Sequence, residues 1–355
     1  MASVYKTSCG TYQVQWTQDK KRKSKSFKTR KEAKEFAYSI EQAPKNRGES
    51  TRLCDLIEQY RDKVTVKKKS VKSETLRLNR LLKLPIATKI LTNLTAKDFQ
   101  KLVNERLEQK SQTGATITPS TVLREFTVIS AVLHYGMDLG LISDNPLKGV
   151  VFPQPPEHRE RIASEEEQQE IVIASGWDGI SPPINRTQLV ALTFLFACRT
   201  GMRSGEILKI EESWIEDNVL HLPKEATKTA SKRDVALNHD ALRLLDLARK
   251  AKKQDKSVRI FGILSDTVRD GLFRMIRNRA GLGPVVDSEG RIIKEGLNFH
   301  DSRATFATWA ASPDPKTGAP RLDVLALARQ TGHKNLSMLQ KYYRETASNI
   351  AKRLD

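Results

Sequence analysis

The residues best suited to chemistry crowd into the C-terminal part of this 355-residue sequence, as Phe299-His300-Asp301-Ser302-Arg303, Gly332-His333 and Tyr342-Tyr343. An imidazole exchanges protons near neutral pH, and a guanidinium is always charged. A phenol becomes a useful nucleophile only when cations and a base offset its pKa near 10. Positions i and i+3 of a helix share a face, so His300 and Arg303 can address one ligand together. The nine residues from His333 to Tyr342 turn a helix through about two and a half turns, which sets the two side chains on opposite faces of one straight helix. They converge only where the chain breaks, and Gly332 and Asn335 supply candidate breaks.

The elements that must position these groups are mostly helical. Tyr12, Val14 and Trp16 alternate with polar residues as in a half-buried strand, Asp19-Lys20 suits a turn, and Lys21 to Phe27 reads as a second strand. Thr29 with Glu32 forms a capping box ahead of a helix striped by Ala33, Phe36, Ala37 and Ile40. Pro44 to Gly48 reads as a linker. Leu53, Leu56, Ile57 and Tyr60 then open a helical stretch, with later helices expected over Ala96–Glu108 and Ser120–Leu139 and a stop at Asp144-Asn145-Pro146. A proline-bearing segment, 148–161, separates this stretch from a helix opened by Ser164 and the acids Glu165, Glu166 and Glu167. Thr187–Arg199 reads as a buried helix, followed by short strands at Trp214–Ile215, Val219–Leu222 and Asp234–Leu237. Ser312–Arg321, with three prolines, reads as a surface loop. The expected class is mainly α with small β-sheets, an α+β protein.

Composition narrows the partner. The formal net charge is +19, an excess that argues for a polyanion, nucleic acid before membrane. Residues 1–50 carry 12 Lys/Arg against 5 Asp/Glu, and Arg61–Arg80 carries eight basic residues against two acidic. The longest apolar run, Leu189–Cys198, is about half the length a bilayer requires, and the N-terminus lacks the order of a signal peptide, so a cytoplasmic protein with no membrane partner is expected. Cys9, Cys54 and Cys198 form no CxxC pair, so neither a disulfide framework nor a cysteine zinc site is supported. No phosphate-cradling GxxxxGK[ST] or GxGxxG stretch is present, and no cofactor or metal is expected.

Taken with Thr200-Gly201-Met202-Arg203-Ser204-Gly205-Glu206, the C-terminal residues resemble the tyrosine recombinases, or phage-type integrases, across the whole chain. That family uses Arg, Lys, His-x-x-Arg, His or Trp, and Tyr in this order. The resemblance implies three domains: an arm-type DNA-binding domain of β-β(-β)-α form over 1–48, a helical core-binding domain over 51–147, and a mixed α/β catalytic domain over 162–355. It implies double-stranded DNA as the substrate, a homotetramer on DNA associated with the nucleoid, and accessory DNA-bending or excisionase proteins as further partners. Lys21, Arg22, Lys23 and Lys25 of the first domain and Lys67, Lys68, Lys69 and Lys72 of the second are the expected DNA contacts. Phosphate contacts add affinity and salt dependence without reading sequence. The resemblance implies that the residues beyond Tyr343, where Ile350 and Leu354 offer a small apolar face, dock on a neighbouring subunit, with a frayed tail as the alternative.

The resemblance also distributes roles. Arg203 and Arg303 clamp the phosphate, because a planar fork suits oxygens gaining charge in the transition state. Arg203 falls at the start of a short helix whose N–H groups also favour an anion, and Glu206 is expected to hold its side chain by a paired hydrogen bond. Lys224, Lys228 and Lys232 are candidates for the acid that protonates the leaving 5′ oxygen. Lys228 fits the family's Thr-Lys-Thr context best, although Ala236 stands where the following strand usually has proline. His300 exchanges the tyrosine proton or stabilises the phosphate, with Ser302 replacing a common leucine. His333 bonds a non-bridging oxygen, with Thr331 at another usual leucine. Tyr342 is the nucleophile that would form a 3′-phosphotyrosine, and Tyr343 is one residue too far and takes a packing role. The expected activity is site-specific recombination, integration or excision of a prophage or mobile element, without ATP or metal. An invertase or resolvase would use the same residues, a type IB-like topoisomerase would share the logic without needing a front domain, and a non-catalytic DNA-binding protein would need only the basic front half. An RNA-binding protein would need aromatic platforms that the sequence lacks.

Overall fold

The computed structural model describes residues 3–7, 10–18, 21–42, 50–111, 114, 116–155, 159, 161–227, 231–252, 257–262, 264–288 and 292–343. The chain forms two compact units, Met1–Glu157 and His158–Asp355. Secondary structure is mainly helical with small antiparallel sheets, as expected. Among the described residues no helix is long and apolar enough to cross a membrane.

The first unit begins with an antiparallel sheet of β1 (Ser3–Lys6), β2 (Tyr12–Gln18) and β3 (Lys21–Phe27), followed by α1 (Arg30–Gln42). Strand β1 was not legible in the residues, since four positions hold only one large apolar side chain besides Val4. Thr29 and Glu32 exchange the two bonds of the expected capping box. Tyr12 pairs with Phe27, Val14 with Lys25 and Trp16 with Lys23. Directly paired residues share a sheet face, and α1 packs on the aromatic one, where Val14 and Ala33 are fully buried and Phe36 meets Trp16 and Phe27. The lysine strand is therefore split between faces. Lys25 lies with its ammonium 4.8 Å from the Phe36 ring centroid, its stem on the apolar side and its charge at the edge, whereas Arg22 belongs to the open face.

A separate core in the same unit is built by α2 (Leu53–Lys63), α3 (Val71–Leu81), α4 (Ala96–Glu108) and α5 (Pro119–Asp138), joined by turns of 3-10 helix. The stripe Leu53, Leu56, Ile57 and Tyr60 is buried as its spacing predicts. Arg106 grips both carboxylate oxygens of Glu125, which ties α4 to α5. One expected DNA contact has another task. Lys68 donates to the Tyr60 hydroxyl at 2.6 Å and to Glu74 at 2.8 Å, and Thr65 donates to the same buried carboxylate. Burying Glu74 demands partners, and Lys68 supplies the charge. Lys67, Lys69 and Lys72 are exposed.

The second unit is organised around α7 (Arg186–Thr200), an almost wholly buried helix. Its two interior hydroxyls bond back to carbonyls one turn earlier, Thr193 to Leu189 at 2.6 Å and Thr200 to Phe196 at 2.8 Å, so no polar group is stranded. Around it lie α6 (Glu165–Ala174), α8 (Ser204–Ile207), a sheet of β4 (Ile215–Glu216), β5 (Val219–Leu222) and β6 (Arg233–Ala236), α9 (His239–Lys252), α10 (Asp266–Arg279), a hairpin of β7 (Val285–Val286) and β8 (Ile292–Lys294), α11 (Asp301–Ala311), α12 (Val324–Thr331) and α13 (Ser337–Gln340). Ser164 and Glu167 cap α6 in both directions. Phe194, Phe273 and Phe299 stack edge-on or tilted at 4.9–5.5 Å between centroids. Burying each ring stabilises by roughly 1.5–3 kcal/mol, and Phe299 anchors the residue just before His300.

Candidate active site

Two helix ends make the frame. Helix α7 stops at Gly201, whose φ of +65° is left-handed, and a Cβ there would lie 2.4 Å from the Phe306 ring. Helix α12 stops in the same way at Gly332, with φ +71°, where a Cβ would press on the Arg233 guanidinium at 3.0 Å. Both positions need glycine for backbone and for space. The carbonyls these turns release become acceptors. Arg303 donates to the Gly201 oxygen at 2.6 Å, and Arg203 donates to the Gly332 oxygen at 3.3 Å.

Arg303 is buried on α11, and Arg203 is half-buried at the start of α8. Burial first, then the charges of Arg203 and Arg233, push the Arg303 pKa down to about 9, while Glu206 and Tyr342 act the other way. It stays charged at neutral pH. Among the described residues, Glu206 is the buried carboxylate that bonds these guanidiniums. The expected paired hydrogen bond goes elsewhere: both Glu206 oxygens accept from Arg233 at 2.8 Å, and Arg203 receives one side-chain contact at 3.2 Å. Burial opposes the Glu206 charge, yet the Arg233 hydrogen bonds and the Arg233 and Arg203 charges hold its pKa below the ordinary value. The Arg203 backbone N–H also donates to Glu206 at 3.0 Å, so this donor is taken by the protein's own carboxylate and is not left for a bound anion.

His300 sits at the head of α11 and is exposed, one turn before buried Arg303. It opens on a cavity of about 420 Å³ shared with Ser204, Asn298, Arg274 and Arg277. His333 is half-buried in the turn after Gly332, with Nε2 3.1 Å from an Arg303 nitrogen and Nδ1 2.7 Å from the Thr331 hydroxyl. Burial and the charges of Arg303, Arg203, Arg233 and His300 push its pKa down to about 4. The chain breaks where expected. Gly332 ends α12, and the Asn335 side chain accepts from Ser337 before the short α13 begins. Tyr342 follows that helix, half-buried against the cluster of Phe306, Ala307, Leu327 and Leu339, within electrostatic reach of Arg303. Tyr343 packs beside it with its hydroxyl tied to the Leu322 carbonyl at 2.8 Å. Burial and Asp323 push its pKa up to about 12.

Lys228 lies outside the described residues, as do the residues past Tyr343 expected to dock on a neighbour. The hairpin stems leading to Lys228 are pinned, since Thr227 bonds Ser231 in both directions, at 2.9 and 3.1 Å. Lys224 and Lys232 are exposed.

Residue reading missed three supports. Arg233 opens β6, the strand in which Ala236 stands at the usual proline, and nothing in its neighbours along the chain marks it as the partner of Glu206. Gln330, buried, bonds the backbone of Ala236 on both sides and the Thr200 carbonyl, stitching α12 to β6 and to the end of α7. Arg159 grips both oxygens of Asp301, at 2.8 and 2.6 Å, next to His300. Its position inside a segment that reads as a linker gave no signal.

Arg203 and Arg303 with His333 thus form one cluster, and Tyr342 interacts electrostatically with Arg303. The phage integrase family model matches residues 181–349. A Haemophilus influenzae chain named as an integrase/recombinase is 30% identical over 329 residues, covering 90% of this chain and 81% of that one. The chain belongs to the phage integrase family, the tyrosine recombinases. A second relative, the shufflon-specific DNA recombinase of Escherichia coli, is 28% identical over 85% of this chain and 71% of its own. The fold is also that of lambda integrase. Its dimer bound to a core site matches with a TM-score of 0.63 at 19% identity, over 97% of this chain and 96% of that one. Its tetramer bound to a Holliday junction matches with a TM-score of 0.61 at 20% identity, over 94% and 95%.

Proposed function

We propose that this protein is a site-specific DNA recombinase that cuts and rejoins duplex DNA through Tyr342, in the service of integration and excision of a mobile element. The observation that carries the reading is the division of labour between adjacent tyrosines. Tyr342 lies within the field of Arg303, whereas the hydroxyl of Tyr343 is committed to a backbone carbonyl.

In this reading the forks of Arg203 and Arg303 hold the non-bridging oxygens of the scissile phosphate, where charge grows in the transition state. The Tyr342 oxygen attacks phosphorus and the bond to the 5′ oxygen breaks. The phenol proton passes to a base, the role this reading gives to the exposed His300, and Lys228 protonates the departing 5′ oxygen. The ester bond is exchanged rather than hydrolysed, so the 5′ hydroxyl of another strand can reverse the step. The first unit supplies DNA contacts from two domains with separate cores, residues 1–48 and 51–147, and residues 162–355 form the catalytic domain. A tetramer on two duplexes in the cytoplasm completes the proposal, in line with the assembly that lambda integrase forms on a Holliday junction. A second reading, inversion between two sites on one molecule, is favoured by the likeness to the shufflon recombinase.

The test is a nicked suicide substrate carrying the attachment site, analysed on a denaturing gel. A DNA-linked protein band formed by wild type and absent with Tyr342→Phe supports the chemistry. No band on DNA that the protein demonstrably binds would refute it. Paired sites placed in direct or inverted order on one plasmid separate excision from inversion.

A further inference from the structure

Thr331 stands where the family resemblance places a leucine, and the structure gives its hydroxyl a definite direction. The side chain is fully buried at the last turn of α12. Its oxygen lies 2.6 Å from the Leu327 carbonyl, a group that can only accept, so the hydroxyl proton points there. The same oxygen lies 2.7 Å from Nδ1 of His333 and, with its proton already used, can only accept from that nitrogen. One Arg303 nitrogen lies 3.1 Å from Nε2 and 3.3 Å from Nδ1, so the guanidinium stands near both ring nitrogens and does not choose between them, and Thr331 sets the tautomer.

We propose that Thr331 is a positioning residue that holds His333 as the Nδ1–H tautomer and keeps Nε2 bare beside Arg303. The donors then run in one line, from Nδ1–H to Thr331 and from Thr331 to the Leu327 carbonyl. The charged groups facing the ring, Arg303, Arg203, Arg233 and His300, together with burial keep it neutral at pH 7, so the choice of tautomer is a real one. For the reaction, which rests on the recombinase reading above, a bare Nε2 must take a proton from solvent before it can donate to a phosphate oxygen, and the negative charge of that phosphate favours the uptake.

The test uses the full chain, free of DNA, with ¹⁵N-labelled histidine at pH 7, and the His333 signals are assigned by their loss in His333→Gln. Wild type is expected to show a protonated Nδ1 and a bare Nε2 at this residue. Thr331→Val, which keeps the shape and deletes the hydroxyl, is expected to lose that pattern, and Thr331→Ser to retain it. A wild-type ring protonated on Nε2, or a valine variant with the wild-type pattern, overturns the proposal. Because this readout needs no DNA, it stands or falls apart from the recombinase reading. Where adduct formation is measured, Thr331→Val is expected to slow it by roughly tenfold or more with DNA affinity unchanged and with rescue by serine. An unchanged rate in a variant that has lost the tautomer removes the positioning role.

Discussion

Tyr343 donates its hydroxyl to the main-chain carbonyl of Leu322 at 2.8 Å, holding the turn that carries Tyr342 against the loop before α12. The neighbouring phenols therefore differ in kind. Tyr342→Phe is expected to abolish the covalent DNA adduct while leaving thermal stability near wild type. Tyr343→Phe should retain the adduct and lower stability by about 0.5–1.5 kcal/mol, the net worth of one hydrogen bond. Denaturing gels and thermal melts of both variants decide it, and loss of the adduct only with Tyr343→Phe would shift the nucleophile by one residue.

Glu206 is the counter-charge for two guanidiniums. Glu206→Ala leaves Arg233 and Arg203 in part-buried space without it, and a loss on the order of 3–5 kcal/mol is expected. Replacing Glu206 and Arg233 together by leucine should cost less than the sum of the single changes. A denaturant double-mutant cycle measures the difference, and strict additivity would show that the two do not act as a pair.

Gly201→Ala tests the frame. The left-handed φ costs an alanine roughly 1–2 kcal/mol, and its Cβ meets the Phe306 ring. The same turn carries the carbonyl that Arg303 grips. Adduct formation should therefore fall further than stability does, when both are measured on one preparation.

Acid should unfold the protein through two sites acting in the same direction. The His333 pKa is about 4 in the folded chain against an ordinary 6.5, so unfolding takes up a proton between those values and stability falls as pH drops from 6.5 toward 4. The Glu206 pKa lies below its ordinary 4.5, so its contribution is present above 4.5 and is lost as pH falls through the folded value. Melting midpoints against pH should show a shallower slope for His333→Gln in the upper window and for Glu206→Gln in the lower one.

The lysine run separates binding from folding. Lys67→Ala, Lys69→Ala and Lys72→Ala should each weaken DNA binding at all sequences and reduce the salt slope by about 1. Lys68→Ala should instead lower stability by about 1–3 kcal/mol, because buried Glu74 loses its charge partner. Equal effects of all four on salt dependence and none on melting would reject this division.

What the sequence made legible was local. The Thr29–Glu32 and Ser164–Glu167 caps, the apolar stripe from Leu53 to Tyr60 and the break at Gly332 all depend on neighbours within one or two turns. The catalytic candidates rest on their order along the chain, which matches a family pattern. What escaped joins distant segments: Arg233 reaches Glu206 across 27 residues, Gln330 reaches Ala236 across 94, and Arg159 reaches Asp301 across 142. No periodicity records such pairings. Lys68 escaped for the opposite reason, since a run of three lysines hides which one has turned inward.

Three guanidiniums and one carboxylate leave the cluster with unbalanced positive charge in a place where water screens poorly. Backbone oxygens of Gly201, Gly332 and Gln330 hold the forks in position, but they are dipoles and cannot neutralise them. Burial first, and then the charges of Arg203 and Arg233, weaken the hold of Arg303 on its proton. Under the recombinase proposal a DNA phosphodiester, with its one negative charge, would offset part of that excess, so bound DNA is expected to raise the melting temperature of the protein as well as to serve as its substrate.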